Sequence, residues 1–308
     1  MKKKILASLC AIFAVCFGLI SQQNVFANTT TLNVSPMTQR ISLTPGETYT
    51  GSVKVSNPAA AEHNLDYSVS VGSFNVFDSN FDNVSTTTIT DYNQIMDWIS
   101  LSQESGSVAP NETQIINFYI NVPLDAPAGG QYATIIISDD TDIAKENSGN
   151  VVISEGTSIA SIIYADVAGE TIRTGAILEN NIPSFVTSGS ITANSTVENT
   201  GNVHADAEYI LQVFPLFSDE EVYTNEENPQ KFIVLPDTTR YAEQNWEGTP
   251  AVGIFKVRQT VKIVDETTTV EKIVVKCPLW LLFVIILAVI ALVVWLVLKS
   301  KNRKKSNR

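Results

Sequence analysis

Residues Asn121–Ser138 read NVPLDAPAGGQYATIIIS, and this stretch decides the fold. A strand predicted over Thr113–Val122 ends at Pro123, which lacks the N–H that a sheet ladder requires. Pro127–Gly130 then supplies turn residues, and the β-branched run that follows predicts a second strand over Gln131–Ser138. A phosphate-binding loop would place its glycines between a strand and a helix, and no helical pattern follows here. The stretch is therefore interpreted as a connection between two strands of a sheet.

Apolar residues alternate with polar ones along most of the chain, with the period of two that half-buried strands have. Only Thr90–Trp98 has helical spacing, over one or two turns. Short strands separated by turn residues predict an all-β protein built from immunoglobulin-like β-sandwiches. In the first half, strands fit residues 49–55, 65–71, 113–122, 131–138 and 157–166. In the second half, strands fit Thr171–Glu179, Ser190–Asn199, Ala205–Val213, Lys231–Leu235, Thr238–Trp246, Gly253–Val264 and Thr267–Val275.

Two local similarities indicate that the halves are related modules. The segments SVKVSNPAAAEHNLDYSVSV (52–71) and NSTVENTGNVHADAEYILQV (194–213) share a strand, a turn containing Asn57 or Asn199, and a second strand. The segments VAPNET (108–113) and VLPDTT (234–239) likewise share a proline before a strand. The first module then carries an insertion of about 16 residues, placed in SFNVFDSNFDNVSTTTITDYNQIMDW (73–98). Long connections of this kind are where a scaffold usually carries its function.

The two ends of the chain predict export and membrane anchoring. Three lysines, an apolar run and the small-residue ending Val25–Ala27 form a signal peptide. Twenty uncharged residues, Leu279–Leu298, are long enough to cross a bilayer and precede a basic tail, which by the positive-inside rule is cytoplasmic. The predicted organisation is a signal peptide at 1–27, a first immunoglobulin-like sandwich at 28–170, a second, membrane-proximal sandwich at 171–276, a transmembrane helix at 279–298 and a tail at 299–308.

The segment between the two apolar runs is strongly acidic. Residues 28–276 contain 11 Lys and Arg against all 32 Asp and Glu, a net charge of −21. Nucleic acid and anionic lipid headgroups are poor partners for such a surface, because phosphate binding depends on clustered cations. Only Cys277 remains after signal removal, so this part has no internal disulfide. Acylation of Cys277 and its pairing with another chain both stay open, and so does the oligomeric state.

The sequence offers no pattern of a catalytic centre. His63 and His204 lie in polar turns of different modules and are interpreted as exposed turn histidines. The hydrolase, zinc-protease and nucleotide-binding motifs are absent from the sequence. We therefore predict a protein that is not an enzyme and that has no cofactor, no metal site and no assigned catalytic or ligand-binding residue.

Two acidic loops are candidates for calcium binding. Asp78, Asn80 and Asp82 have the spacing of the first EF-hand ligands, but Asn83 stands where glycine is needed and Ile89 where the bidentate glutamate belongs. A second acidic group follows the strand at residues 131–138; its members are Asp139, Asp140 and Asp142. Both groups are interpreted as solvated loops, with a weak calcium site as the open alternative.

Aromatic residues are concentrated in the insertion. They are Phe74, Phe77, Phe81, Tyr92 and Trp98. Such a group forms either a platform for carbohydrate or peptide, or a small apolar core that closes one end of the sandwich. The small core is the favoured interpretation, and Trp98, which precedes Ile99 and Leu101, is the member most typical of a core residue.

Two stretches of the sequence, together with the organisation of its C-terminal end, resemble a known family. The stretches LTPGETYTGSVKVSNP (43–58) and VAPNETQIINFYINVPLDAPAGGQYATIIIS (108–138), with one C-terminal membrane helix and a basic tail, resemble the WxL-interacting proteins of Gram-positive cell surfaces. The matching positions are Pro45, Gly46, Asn57, Pro110, Val122, Pro123, Pro127 and Gly129. The resemblance implies an immunoglobulin-like peptidoglycan-binding domain, then a β-domain that contacts host or partner proteins, then the anchor. The family's Thr-Asn-x-Gly-like stretch is replaced by FDSNFDN (77–83), so no binding residue is carried over.

These observations together predict a bacterial, single-pass type I membrane protein with an extracellular ectodomain. Its expected function is non-catalytic binding of cell-wall peptidoglycan or of a surface partner protein. The alternative is an accessory or chaperone-like subunit for the assembly of surface proteins or pili, which binds a client strand along a sheet edge.

Overall fold

The computed structural model describes residues 32–61, 63–76, 83–84, 90–141 and 157–306. The predicted signal peptide at 1–27 lies outside these residues. Module one is a sandwich of two sheets with strand orders β1-β3-β9-β7 and β2-β11-β10-β4-β8. Its strands are β1 (Asn33–Ser35), β2 (Thr38–Leu43), β3 (Thr48–Ser56), β4 (Leu65–Ser73), β7 (Ile99–Leu101), β8 (Ser105–Val108), β9 (Thr113–Asn121), β10 (Gly129–Asp139) and β11 (Ser158–Val167). A small pair, β5 (Asn75–Val76) with β6 (Asn83–Val84), belongs to the insertion.

The opening stretch is a connection between strands, as predicted. β9 ends at Asn121 and β10 begins at Gly129, and the two strands belong to different sheets of the sandwich. The helical spacing in the insertion corresponds to a 3₁₀ helix over Gln94–Trp98. Gln131 holds this helix on β10, because its side-chain oxygen accepts from the Ile95 N–H at 3.2 Å and its amide nitrogen donates to the Asp91 carbonyl at 2.7 Å.

Module two repeats the architecture with different sheets. A three-stranded sheet has the order β12-β14-β18, and a six-stranded sheet has the order β13-β20-β19-β15-β16, with β17 also paired to β15. The strands are β12 (Gly175–Asn181), β13 (Phe185–Val186), β14 (Ile191–Asn199), β15 (Ala205–Pro215), β16 (Tyr223–Thr224), β17 (Gln230–Val234), β18 (Thr238–Trp246), β19 (Gly253–Ile263) and β20 (Glu266–Lys276). The fold class is therefore all-β with two immunoglobulin-like sandwiches, as the alternation in the sequence predicted.

The two asparagines that the internal repeat aligned make equivalent hydrogen bonds in the two modules. Asn57 donates from its buried side-chain amide to the carbonyls of His63 and Val108, each at 2.9 Å. Asn199 donates in the same way to Val203 at 2.8 Å and to Val234 at 2.9 Å. Each asparagine thus ties the end of one strand to a following turn and to the strand before the aligned proline.

The turns that follow these prolines also match. Asn111 and Asp237 both have a positive φ, of 64° and 56°, which asparagine and aspartate adopt more readily than most residues. The Asn111 N–H donates to the Asn57 carbonyl at 3.0 Å, and the Asp237 N–H donates to the Asn199 carbonyl at 2.9 Å. The repeat seen in the sequence is therefore a repeat of hydrogen-bonding geometry.

One long helix, α1 (Leu279–Ser306), follows β20 after only two residues. Its segment Leu279–Leu296 has a mean hydropathy of 3.2, none of it is buried against the rest of the described chain, and it is long and apolar enough to cross a membrane. Cys277 is a free and buried cysteine at the join, and its N–H donates to the Val186 carbonyl at 3.0 Å. The helix is thus connected to module two without a linker.

Candidate functional site: the junction between the modules

The two glycines of the opening stretch form a direct contact with module two. The Gly130 N–H donates to the Asn202 carbonyl at 2.7 Å. Gly129 has a φ of 119°, and a Cβ at this position would lie 2.6 Å from the same Asn202 oxygen. A side chain at residue 129 is therefore excluded both by the backbone conformation and by the approach of module two. The Asn202 side chain fixes the connection between the modules as well, because it accepts from the Ile172 N–H and donates to the Glu170 carbonyl.

A small aromatic cluster fills the space beside this contact. Its buried members are Phe74, Tyr132, Tyr164 and Leu235, which come from both modules. Tyr164 has edge-to-face contacts with Phe74 and Tyr132, with ring centroids 5.7 and 5.8 Å apart. Contacts of this geometry add to the free energy gained from burying the rings. Burial raises the pKa of Tyr164 to about 12, so its hydroxyl stays neutral at physiological pH.

Tyr92 links the insertion of module one to module two. Its ring packs against the aromatic cluster and its hydroxyl donates to Asp237 Oδ2 at 2.6 Å. Burial, and then the hydrogen bond to the Asp237 carboxylate, raise the pKa of Tyr92 to about 12. Phe74 and Tyr92 thus form a small core, as the favoured interpretation predicted, but this core joins the two modules instead of closing one end of a single sandwich.

His204 was expected in an exposed turn, and this expectation is wrong. The side chain is buried, with its ring centroid 5.4 Å from that of Tyr164, and Nδ1 lies 3.3 Å from Asp166 Oδ1. Arg173 approaches the other oxygen of Asp166 at 3.2 Å. Burial alone raises the pKa of Asp166, but the contacts with His204 and Arg173 outweigh burial and lower it. The turn was misjudged because its own sequence is polar, whereas the residues that cover it belong to module one.

A bidentate ion pair crosses the junction on its exposed side. Arg40 on β2 donates from Nη2 and Nη1 to the two oxygens of Asp206 on β15, at 2.5 and 2.8 Å. The hydrogen bond from Arg40 lowers the pKa of Asp206. This geometry fixes the relative orientation of the two planar groups, which a single contact does not do. Together with the glycine contact and the aromatic cluster, it holds module two against module one.

A cavity of about 590 Å³ opens beside these contacts. β2 contributes Arg40, Ile41 and Ser42 to one wall, and module two contributes the opposite wall from β15 and from the turn between β19 and β20. At that turn Val264 has a φ of 51°, a conformation that a β-branched residue rarely adopts, and its side chain lines the cavity with 39% of its surface exposed. The cavity therefore combines a strand edge, an apolar contact and charged groups.

The charges that line the cavity are mostly paired with one another. Asp206 binds Arg40, Asp166 binds Arg173, and Glu208 binds Lys231 at 2.5 Å. Lys262 lines the same cavity and has no ion-pair partner among the residues that the structure describes. Lys262 lies opposite Glu208 in the register of β15 and β19, so it is a cation beside a carboxylate that already binds Lys231.

β2 presents an unpaired backbone edge at this cavity. The Met37 carbonyl accepts from the Ile162 N–H of β11, and the Leu43 carbonyl accepts from the Ala168 N–H directly after β11. Backbone groups alternate sides along a strand, so the N–H and C=O groups of Thr38, Arg40 and Ser42 point to the opposite edge. Within the described part of the chain no strand pairs with that edge. Ser42 and Arg40 therefore have backbone groups that are free to bind an added strand.

The remaining predicted residues do not converge on this site. His63 is exposed, as expected, and Trp98 packs against the core of module one. Asp139 is engaged locally, since its Oδ1 accepts from the Thr141 N–H and hydroxyl. In the described ranges no group of three His, Cys, Asp or Glu residues is arranged to hold a metal ion. The Asp140 N–H donates to the Asp66 carbonyl at 2.8 Å. Six members of the predicted sets lie outside the described residues; they are Phe77, Phe81, Asp78, Asn80, Asp82 and Asp142.

Sequence reasoning missed the residues that join the modules. Arg40, Asp166 and Asp206 lie in strands where charged residues alternate with apolar ones, and nothing in that pattern separates a solvent-facing side chain from one facing another module. A signal existed in the paired motifs NTGN (199–202) and AGGQ (128–131), since turn residues with small neighbours occur where backbones approach closely. The cavity itself arises only when both modules are present.

The sequence matches no known protein-family profile and no curated protein. Among solved structures, the class 5 fimbriae chaperone CfaA is 12% identical, with a TM-score of 0.37 over 78% of this chain and 98% of that protein. The Escherichia coli chaperone DraB is 12% identical, with a TM-score of 0.35 over 78% of this chain and 96% of that protein. The Pseudomonas aeruginosa chaperone CupB2 is 12% identical, with a TM-score of 0.35 over 77% of this chain and 97% of that protein. Because these values are low, we base the functional proposal on the contacts within this chain.

Proposed function

We propose that this chain is a non-catalytic, membrane-anchored surface protein that holds an extended segment of a partner protein in the cavity between its two modules. The observation that carries the proposal is the free edge of β2, which forms one wall of the cavity. An extended segment added there gains main-chain hydrogen bonds from Arg40 and Ser42, and its side chains alternate between the cavity and the solvent.

The opposite wall supports a polypeptide ligand in particular. The exposed surface of Val264 offers a small apolar contact, and Lys262 offers a cation for an acidic group of the bound segment. Within an ectodomain of net charge −21, Lys262 is a site at which an acidic partner gains attraction instead of repulsion. Aromatic stacking on a sugar ring has less support, since Phe74 and Tyr92 contribute to the cluster between the modules.

The position of the cavity relative to the membrane helix suits the capture of a partner at the surface. The turn that contains Val264 ends the hairpin of β19 and β20, and β20 leads directly to the helix at the other end of the hairpin. Eleven residues of β20 at about 3.3 Å each place the cavity roughly 35 Å from the start of the helix. The type I orientation and the extracellular location of the ectodomain stay predictions, as does the binding of peptidoglycan.

A proline at residue 42 tests the edge without damaging the sheet. Ser42→Pro removes an outward N–H and leaves the hydrogen bonds between β2 and β11 in place, so the fold is expected to persist. Ile41→Pro is the matched variant that faces β11, and it is expected to disrupt the sheet. Circular dichroism of both full-length variants measures this difference.

The binding itself is tested in cells with a photo-crosslinking residue. The crosslinker is placed at residue 38 of the full-length protein, an exposed position on the same edge of β2 that keeps the Arg40–Asp206 ion pair, and at Asn117, an exposed position on β9, as the control. We expect a crosslink at residue 38 to one extended segment of a surface protein, identified by mass spectrometry, and its loss in the Ser42→Pro background. Equal labelling at both positions, or crosslinks only to glycan strands that a muramidase removes, would overturn the proposal.

A further inference from the structure

An apolar belt crosses the outer face of the six-stranded sheet at the end nearest the membrane helix. The belt consists of Phe185, Leu216, Ile254, Ile273 and Val275. Val275 pairs with Phe185 on one side and with Ile254 on the other, and the Leu216 N–H donates to the Ile254 carbonyl. Phe185, Ile254 and Ile273 are 46, 45 and 55% exposed. Four neighbouring segments of chain thus contribute apolar side chains to one continuous row.

The alternation along β19 and β20 establishes that the belt faces outward. Phe255 and Val257 on β19, and Val274 on β20, are buried in the core of module two. The residues between them must therefore point to the opposite face of the sheet. Ile254 and Ile273 occupy such positions, and the core does not cover them.

Polarity changes along the outer face of the hairpin that β19 and β20 form. At the end near the helix the facing positions carry Ile254 beside Val275 and Ile273 beside Lys256. Further from the helix the facing pairs are polar; they are Arg258 with Glu271, joined by an ion pair, and Thr260 with Thr269, joined by a hydrogen bond. Apolar residues grouped at one end of an exposed sheet mark a site of interaction with an apolar partner. The end of the hairpin near the helix is therefore expected to contact an apolar surface.

The belt lies at the level where the chain enters the bilayer. Only Cys277 and Pro278 separate β20 from α1, and Val186 of β13 holds Cys277 through a hydrogen bond. Val275 is four residues from Leu279 and Ile273 is six, so these two side chains lie within roughly 13 and 20 Å of the start of the helix, measured along the chain. The headgroup layer outside the hydrocarbon core is about 5–8 Å thick on each side. Because the chain distances are upper limits, a module two that tilts onto the bilayer brings the belt to this layer.

We propose that the belt inserts into the interface of the bilayer that anchors the chain, so that module two lies against lipid. This inference rests on the proposed membrane anchoring. The belt itself contains no carboxylate, and the carboxylates of the turn after Leu216, Asp219, Glu220 and Glu221, are exposed to solvent. Contact with lipid would also fix the tilt of module two, and with it the distance of the cavity from the membrane.

The test places a polarity-sensitive fluorophore on the belt of the full-length protein. In the chain without its predicted signal peptide, which carries Cys10 and Cys16, Cys277→Ala removes the remaining thiol, and Ile254→Cys or Thr269→Cys then supplies a single labelling site in each of two proteins. Thr269 is the matched control, since it lies on the same face of the same hairpin, roughly 20 Å from Ile254. Each labelled protein is reconstituted at one chain per nanodisc in phosphatidylcholine and phosphatidylglycerol, with and without lipids that carry a nitroxide near the headgroup.

We expect the label at residue 254 to have blue-shifted emission and at least a threefold stronger quenching by the nitroxide than the label at residue 269. Equal emission and equal quenching at both positions would overturn the proposal. Shielding of residue 254 that requires two chains per nanodisc and gives no quenching would assign the belt to a second copy, which also overturns it. Failure of the anchoring is a separate result, because the unlabelled full-length chain would then not float with vesicles of the same lipids.

Discussion

The two modules share one hydrogen-bonding frame, which the side chain of Asn57 forms in module one and that of Asn199 forms in module two, but their apolar cores differ. In module one the buried apolar residues form a single cluster that extends across both sheets. In module two they form two clusters, separated along three strands by Ser195, Gln244 and Gln259. On β14, for example, Ala193 belongs to one cluster and Val197 to the other.

This polar layer is poorly satisfied by the protein itself. The Ser195 hydroxyl donates to the Glu179 carbonyl at 2.7 Å, but the side-chain amides of Gln244 and Gln259 have no hydrogen-bond partner among the described residues. Leaving such groups buried costs free energy. Both modules keep the asparagine hydrogen bonds, and the comparison indicates that one continuous apolar core is not required for the sandwich.

The largest effect is expected from the frame itself. Asn199→Ala leaves the carbonyls of Val203 and Val234 without their donor, and it also removes the acceptor of the Gly201 N–H. The free energy of unfolding is expected to fall by about 3–5 kcal/mol. Asn57→Ala removes two hydrogen bonds and is expected to cost less, about 2–4 kcal/mol.

Chemical denaturation of the full-length variants measures both effects, with Asn117→Ala on the surface of β9 as the control. An equal loss in both variants would weaken the comparison, since the additional hydrogen bond of Asn199 would then contribute nothing. Loss of less than about 1 kcal/mol in either variant would contradict the frame.

The second prediction concerns the glycine contact between the modules. Gly129→Ala forces a Cβ against the Asn202 carbonyl at a positive φ, and we expect it to weaken the docking by about 2–3 kcal/mol. Gly189→Ala is the matched control, because Gly189 has a φ of 70° but nothing within 4 Å of its added Cβ. Gly189→Ala should therefore lower the free energy of unfolding only by the cost of holding alanine at a positive φ, about 1 kcal/mol.

Calorimetry separates these two outcomes. We expect Gly129→Ala to split one unfolding transition into two, with module two unfolding apart from module one, and Gly189→Ala to keep a single transition. A single transition at the same temperature in both variants would mean that the close approach of Gly129 to Asn202 does not couple the modules.

The third prediction concerns the polar layer that divides the core of module two, and its substitutions make that core continuous like the core of module one. Replacing Gln244 and Gln259 together by methionine fills the polar layer with apolar side chains of similar length, and it should raise the free energy of unfolding by about 1–2 kcal/mol. Gln230→Met on β17, where the side chain is exposed, is the control and should have little effect. A loss of stability in the double variant would indicate that bound water already satisfies both amides.

The contrast between the modules also explains how far the sequence could be interpreted. Alternation located β18 at its correct bounds and β14 within one residue, because each strand keeps one face buried within its own module. The repeat located Asn57 and Asn199 because both modules contain the frame. His204 was misplaced because the residues that bury it, Tyr132 and Tyr164, lie far away in the chain and belong to the other module.

The free edge of β2 was beyond the reach of the sequence for a related reason. No strand was predicted over Thr38–Leu43, and a predicted strand would still not show which neighbours it has. The chain passes from one sheet to the other at the cis bond before Pro36. An edge is a property of the sheet order, and that order depends on contacts between residues more than 100 positions apart, such as the pairing of Ile41 with Ala165.

The smallest effect on the docking of the modules is expected from the carboxylates of Asp166 and Asp206, which lie at the junction between them. The pKa values of Asp166 and Asp206 are both lowered in the folded protein. A carboxyl whose folded pKa is depressed contributes stability above its unfolded pKa, about 3.9, and that stability is lost as the pH falls through the folded value. The docking of the modules should therefore weaken only below about pH 4. Asp206 is 41% exposed, so solvent screens its ion pair and the effect is small.

Small-angle scattering and calorimetry between neutral pH and pH 2.5 test this expectation. In the natural sequence we expect the docking to weaken slightly on acidification before either module unfolds, whereas Asp166→Asn with Asp206→Asn should show weaker docking at neutral pH and little further change in acid. Asp125→Asn, at an exposed position between β9 and β10, is the control and should follow the natural sequence. An identical pH dependence in all three proteins would mean that the glycine contact and the aromatic cluster hold the modules together without help from the ion pairs.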